Sequence, residues 1–390
     1  MADTSILNGD ALLAAARAAT GLESLGDDTW RDGLARLVEA LRGEARLNDI
    51  GVQVAAGEIQ MYLANRLGIV DWHARHPGLA HDDVVPPIFI VGQGRTGTTI
   101  LHDVLAQDPA NRVPLTWEVD KPLPPPETAT YETDPRIDEA QQQLDMAELV
   151  IPGFKTMHPI GARLAQECVR MTAGDFRSMI FPTQYRVPSY ARWLLYEADM
   201  APAYRWHRRY LQVLQSHHRG TRWVLKSPGH VWCLPDLLAE YPDALLVQTH
   251  RDPLRIIASL ASLISTLRLL ATDEASISEG GQEFAEYLMD GLDRSVAARD
   301  SGAVPAARVI DVQFRDFLAD PLTTVRSIYG RLGLELTREA EARMGTFIAA
   351  NPQGKHGLHH YDFADTGLDA GYWRERAQRY QRYFDVASER

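Results

Sequence analysis

The chain has 390 residues, of which 45% are hydrophobic and 24% are charged, and its formal net charge is −12. This composition excludes a disordered, collagen-like or low-complexity chain, and the length suffices for a sizeable buried core. The net acidity argues against nucleic acid as a partner, because neutralising many phosphates needs a basic face, but it leaves room for a local basic pocket that holds a small anion.

The N-terminal segment predicts helices and no targeting signal. Residues 1–83 carry apolar side chains at three- and four-residue spacings, so we expect an N-terminal helical extension there. The first residues lack a basic stretch followed by an apolar core, and the sequence lacks a charge-free apolar stretch of ~18 residues, so neither a signal peptide nor a transmembrane segment is expected. With only Cys168 and Cys233, no disulfide framework is expected, and we predict a cytoplasmic location.

Strands and helices alternate from residue 84 onward. The run VVPPIFIVG predicts a buried strand that ends at Gly92, and ILHDVLAQDP predicts a helix after the glycine-rich turn GQGRTGTT. Further apolar runs at residues 222–225, 244–248 and 308–312 predict strands with helices between them. This alternation predicts an α/β fold of the P-loop type, in which helices flank a parallel β-sheet.

A long insert interrupts this alternation between residues 121 and 220. It begins with a proline-rich stretch and continues as helical sequence rich in aromatic residues, most of which we expect to pack in a core. The predicted organisation is therefore a helical extension over residues 1–83 and an α/β domain over residues 84–390 that contains the insert 121–220.

The glycine-rich turn is the strongest indication of a ligand site. Its spacing, Gly92-x4-Gly97, resembles the P-loop, in which backbone N–H groups and a helix N-terminus hold a phosphate. A nucleoside-triphosphate site needs Lys directly after the second glycine, and here that residue is Thr98, while the cation of the loop is Arg95. The turn therefore predicts a phosphate site without the P-loop lysine, and the alternative is a glycine-rich turn that binds nothing.

A second indication lies in HRDPLRIIASL, which follows the predicted strand ALLVQ. Arg251 stands at the end of that strand and Ser259 lies on the following helix, at the edge of a parallel sheet where ligands gather. An Arg in this position can hold a second phosphate through two parallel hydrogen bonds. The alternative is a local ion pair between Arg251 and Asp252 that only shapes the turn.

Together, the segments FIVGQGRTGTT, RWVLKSPGH, THRDPLRIIAS, QFRDFLADP and NPQGKHG resemble the sulfotransferases that use 3′-phosphoadenosine-5′-phosphosulfate (PAPS). The resemblance is greatest to bacterial members with an N-terminal helical extension. It implies a P-loop-like fold, with the insert on the acceptor side, and an enzyme that moves a sulfuryl group from PAPS to an acceptor. The implied positions are Arg95, Thr96, Gly97, Thr98 and Thr99 for the 5′-phosphosulfate, Arg251, Ser259, Lys355 and Gly357 for the 3′-phosphate, Phe314 for adenine, and Lys226 for the transferred group.

The general base is less well defined by this resemblance. Cytosolic relatives place a His where this chain has Pro228, so that assignment fails. Membrane-bound and several bacterial relatives use a Glu that follows the phosphosulfate loop, and Glu118 takes that place here. A partly buried carboxylate with a raised pKa suits proton removal from a hydroxyl, so we favour Glu118. His158 is the main alternative, and Glu167 and His102 are further candidates.

The predicted function is sulfuryl transfer from PAPS to a hydroxyl of an apolar small molecule or lipid, with no metal, since Arg95 and Lys226 supply the positive charge. One alternative is a P-loop kinase or NTPase that uses ATP and Mg²⁺, with Asp311 at a strand end as a metal ligand. Another is a nucleotide-binding regulator that is not an enzyme.

Overall fold

The computed structural model of the chain describes residues 2–84, 86–150, 161–352 and 361–389. In these ranges the strands are β1 (Ile88–Val91), β2 (Asn111–Arg112), β3 (Arg222–Lys226), β4 (Leu245–His250) and β5 (Val309–Gln313). The α-helices are α1 (Gly9–Thr20), α2 (Trp30–Gly43), α3 (Asp49–Arg75), α4 (Thr98–Leu105), α5 (Thr116–Asp120), α6 (Arg136–Val150), α7 (Cys168–Thr172), α8 (Ile180–Gln184), α9 (Pro188–Tyr196), α10 (Ala201–Gln215), α11 (Leu234–Glu240), α12 (Pro253–Arg268), α13 (Ile277–Asp300), α14 (Phe314–Ala319), α15 (Pro321–Leu332), α16 (Arg338–Ala350) and α17 (Ala370–Phe384).

The strands form one parallel sheet in the order β2-β3-β1-β4-β5. The central strand β1 is buried along its whole length, and its Ile88 pairs with Val224 of β3 on one side and Leu245 of β4 on the other. Strands covered on both faces need continuous apolar runs rather than alternation, which explains the sequence of β1. The predicted α/β fold, a parallel sheet flanked by helices, is confirmed.

By their contacts, the residues form two compact units. One, here the helical unit, comprises Met1–Val84, Pro114–Arg219 and Ile264–Ala275. The other, here the sheet unit, comprises Val85–Val113, Gly220–Leu263 and Ser276–Arg390. The N-terminal helices and most of the insert thus belong to the same unit. The predicted domain boundary between residues 83 and 84 stays a prediction. No helix in the described ranges combines the length and the apolar character that a membrane crossing requires.

Aromatic side chains from the N-terminal helices and the insert form much of the core of the helical unit. The ring of Phe181 packs edge-on against Tyr62 and Tyr190 and is stacked with Phe176. Such ring pairs contribute about 0.5–1.5 kcal/mol each beyond the burial of their area. The aromatic residues of the insert therefore pack largely as core.

A buried ion network ties the same segments together. Asp175, whose side chain is fully buried, accepts hydrogen bonds from Nη1 of Arg66 at 3.2 Å, Nη1 of Arg177 at 2.6 Å and Oγ1 of Thr29 at 2.7 Å. Arg66 lies on α3 and also donates to the carbonyl of Leu25. Charges out of contact with water need such partners, because burying a lone charge costs several kcal/mol.

Replacing Asp175 with Ala is expected to lower the free energy of unfolding by about 3–5 kcal/mol, because Arg66 and Arg177 would keep buried charges without this carboxylate. Urea titration followed by circular dichroism measures the effect. The control Asp28→Ala removes an exposed ion pair with Arg31, for which we expect a loss below about 1 kcal/mol. Equal losses in the two variants would contradict a special role for the buried network.

Candidate active site

The carboxyl ends of four parallel strands carry the candidate site residues of the sheet unit. Gly92 follows β1, Lys226 is the last residue of β3, Arg251 follows β4 and Phe314 follows β5. Because all of these strands run in the same direction, their carboxyl ends share one edge of the sheet, which is where ligands bind in open α/β sheets.

The loop between β1 and α4 depends on two glycines. Gly92 has φ +133° and Gly97 has φ +84°, a region that side chains disfavour. A Cβ at Gly92 would lie 2.5 Å from Oγ1 of Thr249, and a Cβ at Gly97 would lie 2.7 Å from Cδ2 of Phe314. The chain therefore turns tightly against β4 and α14, and α4 begins at Thr98 with its N-terminal N–H groups next to the turn.

Arg95 occupies the left-handed region as well, with φ +71°, which costs a non-glycine residue about 1–2 kcal/mol. Its Nε donates to Oγ of Ser259 on α12 at 2.8 Å. Burial lowers the pKa of the Arg95 guanidinium, Tyr361 opposes this effect and Arg251 adds to it. The loop cation and the serine, which the resemblance assigns to the 5′ and 3′ sides of the nucleotide, are thus in direct contact.

The other loop side chains have different roles. The hydroxyl of the buried Thr96 donates to the carbonyl of Gln93 at 2.6 Å and lies 2.6 Å from Oγ1 of Thr249, so it holds the shape of the loop. Thr99 accepts a hydrogen bond from Nζ of Lys226 at 3.2 Å, and Lys226 is 1% exposed. A buried ammonium group therefore lies beside the start of α4.

Arg251 uses its guanidinium in four directions. Nη1 donates to the carbonyl of Arg95 at 3.0 Å, and Nη2 donates to the hydroxyl of Tyr361 at 3.2 Å. Nε and Nη2 both donate to the carboxylate of Glu389, at 2.9 and 3.0 Å, and the guanidinium lies 4.4 Å from the centre of the Phe314 ring. Burial alone would lower the pKa of Arg251, but the hydrogen bonds that it donates to Glu389 and Tyr361, together with their charges, raise the pKa above its ordinary value.

The local ion pair considered for Arg251 and Asp252 is not formed. The carboxylate of Asp252 is fully buried and pairs with Arg374 of α17, at 2.6 and 3.0 Å. It also accepts the backbone N–H groups of Leu254 and Glu389. Asp252 thus anchors the start of α12 to α17, and Arg251 remains directed toward the loop.

Asp311, the metal ligand of the kinase alternative, belongs to a chain of hydrogen-bonded polar groups and is about one third exposed. Its carboxylate accepts hydrogen bonds from Arg299 at 3.0 and 2.9 Å and lies 2.9 Å from Nε2 of His250, whose Nδ1 lies 2.7 Å from the hydroxyl of Tyr380. Burial alone would raise the pKa of Asp311, but His250 and Arg299 hold it at about 2. The carboxylate of Asp311 is therefore already paired with Arg299 and His250 of the same unit.

Glu118 lies in the helical unit and is 0% exposed. Its Oε1 accepts the backbone N–H of Leu115 at 2.9 Å and the hydroxyl of Tyr131 at 3.2 Å, so the carboxylate caps α5. Glu167, the other carboxylate candidate, is half-buried and precedes α7 as its N-cap residue.

Histidine candidates divide into buried and undescribed positions. His102 is fully buried, and its Nε2 lies 2.9 Å from the carbonyl of Val224, which fits a packing role. The ring of His230 packs edge-on against Phe89. His158 lies outside the described residues, and so do Lys355 and Gly357. Among the residues that the structure describes, no group of three His, Cys, Asp or Glu side chains is placed to hold a metal ion.

Comparison with known proteins identifies the family of this chain. The sequence profile of the sulfotransferase family matches residues 86–338, which is more than half of the chain. The chain belongs to the sulfotransferase family. The chain is therefore a transferase and not a non-enzymatic regulator. Its membership of this family also excludes the kinase alternative.

Solved structures of relatives extend the likeness over nearly the whole chain. Sulfotransferase STF1 from Mycobacterium tuberculosis H37Rv is 33% identical with a TM-score of 0.85, over 96% of this chain and 99% of its own. Sulfotransferase STF9 from Mycobacterium avium is 31% identical with a TM-score of 0.90, over 100% of this chain and 99% of its own. The curated omega-hydroxy-beta-dihydromenaquinone-9 sulfotransferase Stf3 of Mycobacterium bovis is 25% identical over 320 residues, 76% of this chain and 75% of its own. The resemblance to bacterial sulfotransferases is confirmed.

Replacing Gly97 with Ala is expected to lower the free energy of unfolding of this sulfotransferase by about 2–4 kcal/mol, from left-handed strain and overpacking against Phe314. The matched control is Gly94→Ala in the same loop, where a Cβ would meet Leu260 and Pro228 at an ordinary 3.8 Å. We expect a loss below about 1 kcal/mol for the control. Chemical denaturation measures both variants, and a Gly97→Ala variant as stable as the control would contradict the packing argument.

Proposed function

We propose that this sulfotransferase uses PAPS as its donor and transfers the sulfuryl group to a hydroxyl of an apolar small molecule or lipid. The observation that carries the proposal is a pair of anion-binding features at one edge of the sheet. One feature is the glycine loop, which has backbone N–H groups at the start of α4. The other is the guanidinium of Arg251, which donates to the carbonyl of Arg95 in that loop. A nucleotide with a phosphate at both its 5′ and 3′ positions suits this pair better than a triphosphate.

The residues of the sheet unit fit such a donor. The loop after β1 leaves no room for a Cβ at Gly92 or Gly97. With no side chain at these two positions, its backbone could approach a 5′-phosphosulfate closely. Thr98 and Thr99 would add hydrogen bonds there, and Arg251 with Ser259 would hold the 3′-phosphate. Phe314, whose ring faces both Gly97 and Arg251, would contact adenine. Lys355 and Gly357 stay a prediction for the 3′-phosphate.

When bound, PAPS supplies a sulfuryl group on an activated phosphate. Arg95 and Lys226 would stabilise the negative charge that grows on the oxygen between phosphorus and sulfur and on the sulfuryl oxygens. Both side chains are largely buried, so their charges act through a medium that screens them less than water does. Cations of the chain itself therefore supply the charge neutralisation in this proposal, as predicted from the sequence.

Glu118 is our proposed general base, and His158 is the alternative. The two hydrogen bonds to Oε1 of Glu118 orient its carboxylate. A carboxylate held in a fixed orientation can accept the proton that a hydroxyl loses as its oxygen attacks sulfur.

An apolar acceptor is supported by a relative. The Stf3 protein of Mycobacterium bovis is named for a hydroxylated menaquinone, which is a lipid with a terminal hydroxyl, and it aligns with 76% of this chain. The aromatic composition of the insert agrees with such an acceptor. The cytoplasmic location stays a prediction.

The donor proposal is tested by calorimetric titration with adenosine 3′,5′-bisphosphate and with adenosine 5′-monophosphate in EDTA. We expect the bisphosphate to bind more tightly, and Arg251→Ala to weaken it roughly 10- to 100-fold through the loss of charged hydrogen bonds, with little effect on the monophosphate. The control Arg315→Ala removes an exposed cation from α14 and should leave both affinities nearly unchanged. Equal binding of the two nucleotides by the unaltered enzyme would overturn the proposal.

The base is tested by comparing Glu118→Gln with Glu118→Ala. Gln keeps an oxygen that accepts from Leu115 and Tyr131 but cannot take a proton, so we expect kcat to fall by about 10²- to 10⁴-fold while the melting temperature changes little. Ala removes the cap as well and should also destabilise α5. If Glu118→Gln retains kcat within about threefold, the residue is only a cap and the base lies elsewhere.

A further inference from the structure

Glu389 occupies the edge of Arg251 that a phosphate would need. Its carboxylate accepts from Nε at 2.9 Å and from Nη2 at 3.0 Å, which is the bidentate geometry in which Arg binds phosphate. Nη1 and the remaining capacity of Nη2 are engaged by the carbonyl of Arg95 and the hydroxyl of Tyr361. A 3′-phosphate can therefore reach the Nε–Nη2 edge only after Glu389 has left it.

Hydrogen bonds hold the C-terminal segment that carries Glu389 in this position. The backbone N–H of Glu389 donates to Oδ2 of Asp252 at 2.7 Å, directly beside Arg251 in the chain. Gln381 of α17 donates to the carbonyl of Val386 at 3.1 Å and to Oγ of Ser388 at 3.2 Å. These hydrogen bonds hold the backbone of the segment so that the carboxylate of Glu389 lies beside Arg251.

The two partners differ in how much water they contact. The side chain of Arg251 is 11% exposed, whereas that of Glu389 is 34% exposed. Arg251 therefore depends on a counterion, because a largely buried cation without one is costly. Glu389, whose carboxylate also lies 3.9 Å from Nε of Arg255, is exposed enough for water to solvate it once it leaves Arg251. A phosphate carries more charge than a carboxylate and offers more acceptor oxygens, so it is the stronger partner for the same edge.

We propose that Glu389 is an internal competitor of the nucleotide's 3′-phosphate, which leaves Arg251 when the donor binds and returns as the bisphosphate product departs. This inference rests on the proposed function, since it takes Arg251 as the 3′-phosphate ligand. Competition lowers the affinity for every nucleotide that carries a 3′-phosphate and leaves other nucleotides unaffected. Glu389 would thus set how readily the product dissociates, a step that limits turnover in many enzymes.

The test is calorimetric titration of the unaltered enzyme and Glu389→Gln with adenosine 3′,5′-bisphosphate and adenosine 5′-monophosphate, in buffer without sulfate or phosphate. We expect Glu389→Gln to bind the bisphosphate about tenfold more tightly, as removal of a competing state predicts, with the monophosphate changed less than about twofold. The matched control is Asp385→Asn, which removes one negative charge from the same segment at a left-handed position that Asn tolerates. The control should leave the bisphosphate affinity within about twofold.

Two further measurements separate competition from a general charge effect. In an Arg251→Ala background, Glu389→Gln should no longer tighten bisphosphate binding, because the two residues act through one contact. Hydrogen exchange followed by mass spectrometry should show faster exchange in residues 386–389 when the bisphosphate binds, and no change with the monophosphate. This readout uses the unaltered enzyme and is independent of how the variants fold.

Opposite results would overturn the inference. If Glu389→Gln binds the bisphosphate equally or more weakly, or if residues 386–389 become protected by it, Glu389 supports the bound nucleotide instead of competing with it. In that case the preference of the unaltered enzyme for the bisphosphate would still stand, and with it the proposed function. Absence of that preference in the unaltered enzyme would overturn both proposals.

Discussion

The site depends on how closely the loop after β1 packs against its neighbours. Gly92 touches Thr249 at the end of β4, and Gly97 touches Phe314 at the start of α14, at distances that leave no room for a Cβ at either position. Through these contacts the loop fixes where α4 begins and where the carbonyl of Arg95 accepts from Arg251. The positions of the loop N–H groups, of Arg251 and of the Phe314 ring are thus set by one packing constraint.

Charge is balanced locally around this loop, although the chain as a whole is acidic. Arg251 pairs with Glu389, Asp252 pairs with Arg374, and Asp311 pairs with Arg299 and His250. Asp252 follows β4 and contacts Glu389 through the backbone N–H of that residue, whereas Asp311 lies within β5. Uncompensated negative charge at these positions would repel a phosphate. Because Asp252 and Asp311 are paired with cations of α17 and α13, their negative charges are compensated, and Arg95 of the loop and Lys226 beside Thr99 keep positive charge near the start of α4.

The sequence predicted the sheet because its strands are short apolar runs bounded by helices. The predicted runs at 222–225, 244–248 and 308–312 correspond to Arg222–Lys226, Leu245–His250 and Val309–Gln313. The edge strand β2 (Asn111–Arg112) was missed, because a strand of two polar residues carries no apolar pattern in the sequence. The grouping of the N-terminal helices with the insert in one unit was also missed, because it rests on contacts such as that of Arg66 with Asp175, 109 residues apart in the chain.

The site was predictable where a local motif carries the chemistry and unpredictable where distant residues complete it. The tight turn needs glycine at both Gly92 and Gly97, which are close together in the chain, so this requirement is visible in the sequence. Glu389 has no such signal, because it lies 138 positions after Arg251 in the chain and meets it only in the folded structure. The alternative ion pair of Arg251 with Asp252 was wrong for the same reason, since the true partner of Asp252 is Arg374, 122 positions away. Charged neighbours in a chain suggest a pair, but at the end of a parallel strand successive side chains diverge, and each takes its partner from the element packed on its own side.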